Sequence, residues 1–410
     1  MPDKFHSQDF SPLPTTAPLL PRMRDSNLPG VDAFLSAFLR GENPHWPQSG
    51  VDEFAATFLV RGKYHGVLPL IHDRLQRVPD SARGWPQPVV LACREIAIEQ
   101  AMWELRHQDL LRHVLVQLTM IDVRPVLFKG TALAYCLYPV GALRPRGDAD
   151  LIIAPDMLTQ VSAVLEAIGF RHVSGVVGEF NGYEADFEYQ EAGGTTHLLD
   201  VHWRINNSEL LSKLFSYHEL LQRAQPIPAL GPDALAAGAV DALLIACMHR
   251  ATHKQNPYYV DGIAYYSGDR LIWLYDIHLL LGSLLPAQYD EFVSLAVAKG
   301  LRTVCLEGIE CARACFHTPV PANVTEALAA STTREPIWRY LNGGQFLQMW
   351  MDFRAYGSVA NQVRYLKILC LPPARYMRLK YPEAQLEWLP WLYLRRAVGG
   401  LMKRIRWAPR

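Results

Sequence analysis

Two aspartates near the middle of the chain have the residue type and spacing of metal ligands. Asp148 and Asp150 lie two residues apart at the start of a short apolar run, and side chains at i and i+2 of a strand share a face. Two carboxylates about 5 Å apart repel each other by roughly 3 kcal/mol at an effective dielectric constant near 20. A cation or a proton between them removes this repulsion, and Mg²⁺ prefers oxygen ligands completed by substrate phosphates.

A third carboxylate fits the same chemistry. Asp200 lies in the segment 197–203, on the same face of the expected strand as His202. An acid within a core strand is costly unless it is paired or bound to a metal. Three carboxylates on neighbouring strands are typical of a two-metal site for in-line displacement at phosphorus. We therefore predict that Asp148, Asp150 and Asp200 are the catalytic residues and hold two Mg²⁺ ions, with Mn²⁺ as the alternative ion.

A glycine turn upstream of the aspartates offers a phosphate-binding site. Gly130 separates a short apolar run from a helical pattern that starts at Thr131. Glycine there lets a phosphate approach the helix N-terminus, where free backbone N–H groups and the helix dipole favour anions. Lys129, Arg144 and Arg146 can neutralise triphosphate oxygens, so we predict that these three residues bind nucleotide together with the turn. The alternative for Lys129 and Arg144 is that they pair with nearby acids.

Other residues with suitable chemistry favour plainer interpretations. Glu184, Asp186 and Glu188 alternate with apolar residues, and this alternation predicts a solvated strand face rather than further ligands. His249 and His253 are four residues apart, as zinc ligands on a helix can be, but no glutamate follows His249. The metalloprotease motif is therefore absent, and core or supporting histidines are favoured over a zinc site.

Taken together, these motifs resemble the DNA-polymerase-β-like nucleotidyltransferase superfamily and, within it, the family described only as uncharacterised nucleotidyltransferases. The resemblance covers roughly residues 90–290 and is carried by the segments 129–131, 144–150, 199–203 and 269–276. It implies that Gly130 and Thr131 form the phosphate-binding turn. It also implies that Asp148 and Asp150 are the paired metal ligands and that Asp200 is the third carboxylate.

Hydrophobic periodicity predicts an α+β fold, in which a small mixed-sheet nucleotidyltransferase core is flanked by N-terminal and C-terminal helical regions. The core is expected to run strand, helix, strand, helix and then a hairpin over 183–203. The predicted organisation is a disordered proline-rich leader over 1–30, an N-terminal helical region over 31–122, the α/β core over 123–225, a helical domain over 226–360 and a basic C-terminal tail over 361–410.

The composition indicates a globular protein that stays inside the cell. The chain has 410 residues, 40 basic and 40 acidic residues and seven cysteines. The N-terminus lacks the apolar segment of a signal peptide, and no run of about 18 uncharged apolar residues predicts a transmembrane helix. We therefore predict a cytoplasmic protein with reduced thiols rather than a disulfide framework.

The neutral total charge hides a basic C-terminus. Residues 364–410 carry eleven basic residues against two acidic ones, mixed with tryptophans and leucines. Such mixing suits a membrane interface, but the same segment could pack on the helical domain and turn its arginines to solvent or to the acidic body. Pro390 and the pair Gly399 and Gly400 argue against one long amphipathic helix, so peripheral membrane contact is not favoured.

The sequence therefore predicts a metal-dependent nucleotidyltransferase. Such an enzyme transfers a nucleoside monophosphate from a nucleoside triphosphate to an acceptor hydroxyl of a small molecule, peptide or protein, and releases pyrophosphate. One alternative is a non-catalytic nucleotide- or partner-binding module on the same fold. Another is an enzyme that adds nucleotides to RNA ends, which is disfavoured because the acidic body offers no basic groove interleaved with aromatic residues.

Overall fold

The fold is mixed α/β, as predicted. In the sequence, helical regions precede and follow the strands of the central sheet. The computed structural model describes residues 28–173, 182–260, 263–265, 268–330, 334–381 and 388–406. Residues 1–27, which make up most of the predicted leader, lie outside the described residues. The first helix begins at Leu28, inside the segment that was predicted to be leader.

The N-terminal helices pack around aromatic side chains. Phe34, Trp46, Phe58 and Trp85 are buried against one another. Pro88 lies in the first turn of the fourth helix, where its missing N–H has no intrahelical partner. The helices are α1 (Leu28–Leu39), α2 (Val51–His65), α3 (Leu68–Arg77) and α4 (Gln87–Thr119), with a 3₁₀ turn at Pro79–Ala82 between the last two.

Seven strands of the described residues form the central sheet, in the order β3-β4-β5-β2-β1-β7-β6. β2 and β5 are parallel, while β4 and β5 form the predicted antiparallel hairpin. The strands are β1 (Val126–Leu127), β2 (Asp148–Ile152), β3 (Arg171–His172), β4 (Glu184–Gln190), β5 (Thr196–His202), β6 (Gln225–Pro226) and β7 (Leu235–Ala236). The helices between these strands are α5 (Lys129–Cys136), α6 (Leu158–Ala167), α7 (Glu209–Ser212) and α8 (Tyr217–Gln222).

One face of the central strands is apolar and packs on helices. Ala149 and Leu151 of β2 join a core cluster with Leu115 of α4 and Leu165 of α6. Since side chains alternate along a strand, the intervening Asp148 and Asp150 point to the opposite face. The sequence alternation therefore decides which side of the sheet carries the acids.

A second helical region follows the sheet in the sequence. The largest hydrophobic core cluster lies mostly in this region. Short strands β8 (Tyr258–Val260) and β9 (Ile263–Tyr265) pair antiparallel within it. Its helices are α9 (Ala239–His253), α10 (Leu271–Ser283), α11 (Pro286–Ala298), α12 (Arg302–Phe316), α13 (Ala322–Ala329), α14 (Pro336–Leu341), α15 (Gln345–Ala355), α16 (Val359–Cys370), α17 (Ala374–Lys380) and α18 (Leu389–Arg406). The predicted domain boundaries stay predictions.

The C-terminal helix α18 corrects one expectation. It runs unbroken for 18 residues through Gly399 and Gly400, so the argument against one long helix is wrong. Pro390 occupies its first turn, where proline removes no intrahelical hydrogen bond, and the helix absorbs about 1 kcal/mol for each glycine. In the described part of the chain, no helix is both long and apolar enough to cross a membrane.

Candidate metal and phosphate site

The pairing of β2 with β5 brings two of the predicted aspartates together. Asp150 lies directly opposite Asp200 in the parallel register, and Ile152 lies opposite His202. Asp150, Asp200 and His202 each offer one ligand atom, and these atoms all lie within 4.8 Å of one another. Asp148 is two residues before Asp150, on the same face, but it does not belong to this trio. Carboxylate oxygens suit Mg²⁺ or Mn²⁺, whereas imidazole suits softer ions.

Asp150 is buried and has two nitrogen partners. Lys129 Nζ donates to its Oδ1 at 2.5 Å, and Nε2 of His202 lies 3.0 Å from the same oxygen. Loss of solvent around Asp150 favours its neutral form, but Lys129 and His202 outweigh this effect and hold its pKa well below the ordinary value. Asp150 is therefore the aspartate whose negative charge is compensated within the protein.

The other two aspartates have raised pKa values. Loss of solvent, followed by the charge of Asp150, raises the pKa of Asp148 to about 6. Loss of solvent and the charges of Asp148 and Asp150 also raise the pKa of Asp200 well above its ordinary value. Mutual repulsion of carboxylates produces such shifts when no cation lies between them. The three acids thus form one electrostatic unit.

The turn between β1 and α5 faces these acids. Lys129 has a φ of 52°, which is a rare conformation for a residue with a side chain and marks a constrained position. Thr131 is fully buried, and its hydroxyl donates to the backbone carbonyl of Asp148 at 3.1 Å. Thr131 therefore ties the helix start to β2, and its predicted contact with phosphate stays a prediction.

Gly130 leaves space for an arginine. A Cβ at this position would lie 3.0 Å from Nη1 of Arg144, closer than most real contacts. The absence of a side chain therefore lets the guanidinium lie against the start of α5. The sequence indicated a close approach at this turn, and the group that the structure places there is Arg144.

Both predicted phosphate-binding arginines have carboxylate partners. Nη2 of Arg144 donates to Asp276 at 2.7 Å, and the same carboxylate accepts the Tyr138 hydroxyl at 2.7 Å. This pair agrees with the alternative that Arg144 binds a nearby acid. Arg146 donates through both terminal nitrogens to Glu104, at 2.8 and 3.0 Å. Both guanidinium groups are buried. Their ion pairs connect the loop before β2 to the helices that carry Asp276 and Glu104.

The acidic face of β4 is part of the same site. Asp186 lies opposite Asp200, and Glu184 lies opposite His202. Oε2 of Glu184 is 3.2 Å from Nδ1 of His202, and both acids are half-buried. Pairing with β5 turns this partly exposed face toward the aspartates, and the prediction that its acids are not further metal ligands stays a prediction.

Helices α9 and α10 form the opposite wall. Their residues His249 and Trp273 line a small cavity together with Lys129 and Gly130. The cavity has a volume of about 20 Å³, which is room for one water molecule. Burial lowers the pKa of His253 to about 4, and the pKa of His249 is also well below its ordinary value. Both imidazoles are therefore neutral at pH 7, and the preference for core or supporting histidines over a zinc site stays a prediction.

His202 is the functional candidate that sequence reasoning did not assign. Its position two residues after Asp200 placed it on the acidic face. The contact with Asp150 depends on the register of β2 against β5, which hydrophobic patterns do not give. The alternation of side chains along the strand therefore indicated that His202 lies on the acidic face. It did not identify Asp150 as the partner of His202.

One comparison with known proteins, a match to a family model, agrees with these motifs. A family model described as "Uncharacterised nucleotidyltransferase" matches residues 55–317, which is more than half of the chain. The crystal structure of an antigenic nucleotidyltransferase-like protein from Paracoccidioides brasiliensis is similar to this chain at 14% sequence identity and a TM-score of 0.33, covering 55% of this chain and 96% of that one. No curated protein matches the chain.

Proposed function

The chain belongs to this family of uncharacterised nucleotidyltransferases, and we propose that it is a metal-dependent enzyme that transfers a nucleoside monophosphate from a nucleoside triphosphate to an acceptor hydroxyl. The acceptor is a small molecule, a peptide or a protein. The observation that carries this proposal is the register of β2 and β5, which sets Asp150 opposite Asp200 and beside the turn at Lys129.

The aspartates would hold the metal. Asp150 and Asp200, with Asp148 on the same face, provide the oxygen ligands that Mg²⁺ or Mn²⁺ prefers. When bound, such an ion neutralises triphosphate charge and lowers the pKa of the attacking hydroxyl. His202 supports Asp150 by holding its Oδ1, since a carboxylate that binds metal is commonly oriented by a second hydrogen bond.

The remaining groups bind the triphosphate and move one proton. In the transfer, a bond forms between the acceptor oxygen and the α-phosphorus, and the bond from the α-phosphorus to the bridging oxygen breaks. Pyrophosphate leaves with that oxygen. Asp200 accepts the proton of the acceptor hydroxyl. Lys129 and the backbone N–H groups at Gly130 and Thr131 bind the terminal phosphates at the start of α5.

Arg144 and Arg146 act in this proposal mainly by shaping the cleft. Their ion pairs with Asp276 and Glu104 hold the loop before β2 against helices α10 and α4. Arg144 also lines the small cavity next to Gly130, so its direct contact with a phosphate remains part of the proposal. A nucleotide that entered this cavity, which has room for one water molecule, would displace α9 and α10 from α5.

One observation favours a second candidate, a non-catalytic nucleotide-binding module. The ammonium of Lys129 already compensates the charge of Asp150 without a metal. In such a module, Lys129 would keep this position and the nucleotide would bind without chemistry. The two candidates differ in whether pyrophosphate is released.

A binding experiment with a metal and each of the four nucleoside triphosphates tests the proposal. Thermal unfolding is measured with Mg²⁺ and the analogue whose α–β bridging oxygen is replaced by methylene, which cannot release pyrophosphate. We expect stabilisation by at least one nucleotide, about 2.7 kcal/mol at one hundred times its Kd. Asp150→Asn and Asp200→Asn should abolish this stabilisation, whereas Asp290→Asn, at an exposed position of α11, should leave it unchanged.

Pyrophosphate release then separates the two candidates. Wild-type protein is incubated with Mg²⁺, the preferred nucleotide and a mixture of small-molecule and peptide hydroxyl acceptors. Release that is lost in Asp200→Asn supports transfer. Nucleotide binding without release would support the non-catalytic module, and stabilisation by no nucleotide would refute both.

A further inference from the structure

The C-terminal helices carry a strong positive charge. Residues 353–406 contain eleven arginines and lysines against two glutamates. The whole chain is neutral, so the rest of the protein is correspondingly acidic. The basic residues are Arg354, Arg364, Lys367, Arg375, Arg378, Lys380, Arg395, Arg396, Lys403, Arg404 and Arg406.

The same helices expose an unusual number of large apolar side chains. Of the twenty-three exposed large hydrophobic residues among the described ones, eight lie in residues 353–381 and 388–406, which make up about an eighth of the described chain. Single exposed apolar residues are normal on a protein surface, but a concentration of them marks an interaction site. This concentration coincides with the basic region.

On α16 the exposed apolar residues form one stripe. Val359, Val363 and Leu366 are 75%, 58% and 44% exposed, and their i, i+4, i+7 spacing places them on one face of the helix. Arg364 and Lys367 are exposed beside this stripe. α16 is therefore amphipathic with its apolar side turned outward.

On α18 a second stripe has the same character. Trp391, Leu394 and Val398 are each about half exposed, at 53%, 53% and 51%, and follow i, i+3, i+7 spacing. Trp388, just before the helix, is 76% exposed, and Arg395 is exposed next to the stripe. Tryptophan beside arginine is the composition found where helices lie in the headgroup region of a bilayer.

Helices α17 and α18 pack on each other, and hydrogen bonds link α18 to α16 and to the segment after α16. Leu392 of α18 and Met377 of α17 are fully buried in a small core of their own. Nη1 of Arg396 donates to the Leu369 carbonyl of α16 at 2.9 Å, and the Tyr393 hydroxyl donates to the Pro372 carbonyl. Arg396 therefore connects α18 to the end of α16, while the apolar stripes of both helices stay exposed.

We propose that α16 and α18 form a peripheral membrane-binding surface for bilayers that contain anionic lipids. The apolar stripes would enter the headgroup region, and the flanking arginines and lysines would bind the negative headgroups. Each basic residue near such a surface contributes about fivefold to partitioning. A nucleic acid would satisfy the charge but leave the aliphatic stripes in water, so the lipid surface explains both features. The inference does not depend on the proposed transfer activity.

Vesicle co-sedimentation of the full-length protein tests this surface. We expect binding to vesicles of phosphatidylcholine with 30% phosphatidylglycerol at 50 mM NaCl, at least tenfold weaker binding at 500 mM NaCl, and no binding to pure phosphatidylcholine. The double variant Trp391→Ser, Leu394→Ser should bind at least tenfold more weakly, as should Arg364→Gln, Lys367→Gln. Leu105→Ser, at an exposed position of α4, should bind like wild type.

Circular dichroism melting confirms that each variant is folded, which is expected because the substituted side chains are exposed. Absence of binding at low salt would overturn the proposal. So would equal binding of the Trp391→Ser, Leu394→Ser variant and wild type, since the apolar stripe would then contribute nothing. Loss of vesicle binding in the presence of an equal mass of RNA would assign the surface to nucleic acid instead.

Discussion

The ion pair between Arg144 and Asp276 makes a sharp prediction about the cleft. The two side chains are 8% and 3% exposed, and Nη2 of Arg144 lies 2.7 Å from Oδ2 of Asp276. The Tyr138 hydroxyl donates to the other oxygen of the same carboxylate. The pair joins the loop before β2 to α10, so it holds the wall of the cleft that faces Gly130.

Replacing only Arg144 with methionine leaves a buried carboxylate with the Tyr138 hydroxyl as its remaining partner. Removing one member of a buried pair destabilises proteins by about 3–5 kcal/mol, because the remaining charge stays buried. The double variant Arg144→Met, Asp276→Leu removes both charges and keeps apolar volume. We expect it to recover most of the lost stability, so the coupling free energy between the two positions should be about 2–4 kcal/mol.

Urea unfolding followed by tryptophan fluorescence and circular dichroism measures these free energies. The control is Arg77→Met, which removes a surface pair with Asp73 in which the arginine is 67% exposed. We expect the control to lose about 0–1 kcal/mol. A loss below 1 kcal/mol for Arg144→Met, or additive losses in the double variant, would refute the reasoning. Nucleotide-induced stabilisation of the double variant shows separately whether Arg144 also contacts phosphate.

Three further changes test the site and the fold around it. Lys129→Met should bind Mn²⁺ about tenfold more tightly in a paramagnetic resonance titration at pH 8, because the ammonium that contacts Asp150 repels a cation. The same variant should bind nucleotide more weakly. An unchanged Mn²⁺ affinity would contradict the role of this ammonium. Gly130→Ala should lower the free energy of unfolding by about 1–3 kcal/mol, since the alanine Cβ would lie too close to the guanidinium of Arg144. An unchanged melting temperature would show that the turn accommodates the Cβ and would contradict this prediction. Burial lowers the pKa of His65 to about 4, so its contribution of about 3 kcal/mol to the free energy of unfolding is complete above pH 6.5 and is lost as the pH falls toward 4. Urea unfolding between pH 7 and 4 should show this loss of stability. In His65→Gln the free energy of unfolding should depend less on pH.

Local patterns predicted the elements of the core well. The alternation over 183–203 indicated the hairpin, and β4 and β5 form it within one residue of the predicted ends. The sequence also indicated helices over 31–122, and the structure has α4 (Gln87–Thr119) there as the longest of four. These features depend on the period of side-chain direction along one segment, and sequence spacing reports that period directly.

Partners across elements were not predictable in the same way. Arg146 and Glu104 are 42 residues apart in the sequence, and Arg144 and Asp276 are 132 residues apart. Composition indicates only that a buried arginine needs an acid, and the packing of α4 and α10 on the core decides which one it finds. The neighbours of the acidic face of β4 were not predictable for the same reason. Its alternation is typical of an exposed edge, and only pairing with β5 shows that it borders the aspartates.

The charges around β2 and β5 explain why this arrangement calls for a cation. Asp148, Asp150 and Asp200 share one face, and Asp186 adds a fourth carboxylate opposite Asp200. Lys129 contributes one positive charge and contacts one of these acids, Asp150. Asp148 and Asp200 have raised pKa values although Lys129 and His202 lie close by, so the site favours the uptake of protons or of a metal ion. A triphosphate alone would add negative charge, and we therefore expect nucleotide and divalent metal to bind together rather than independently.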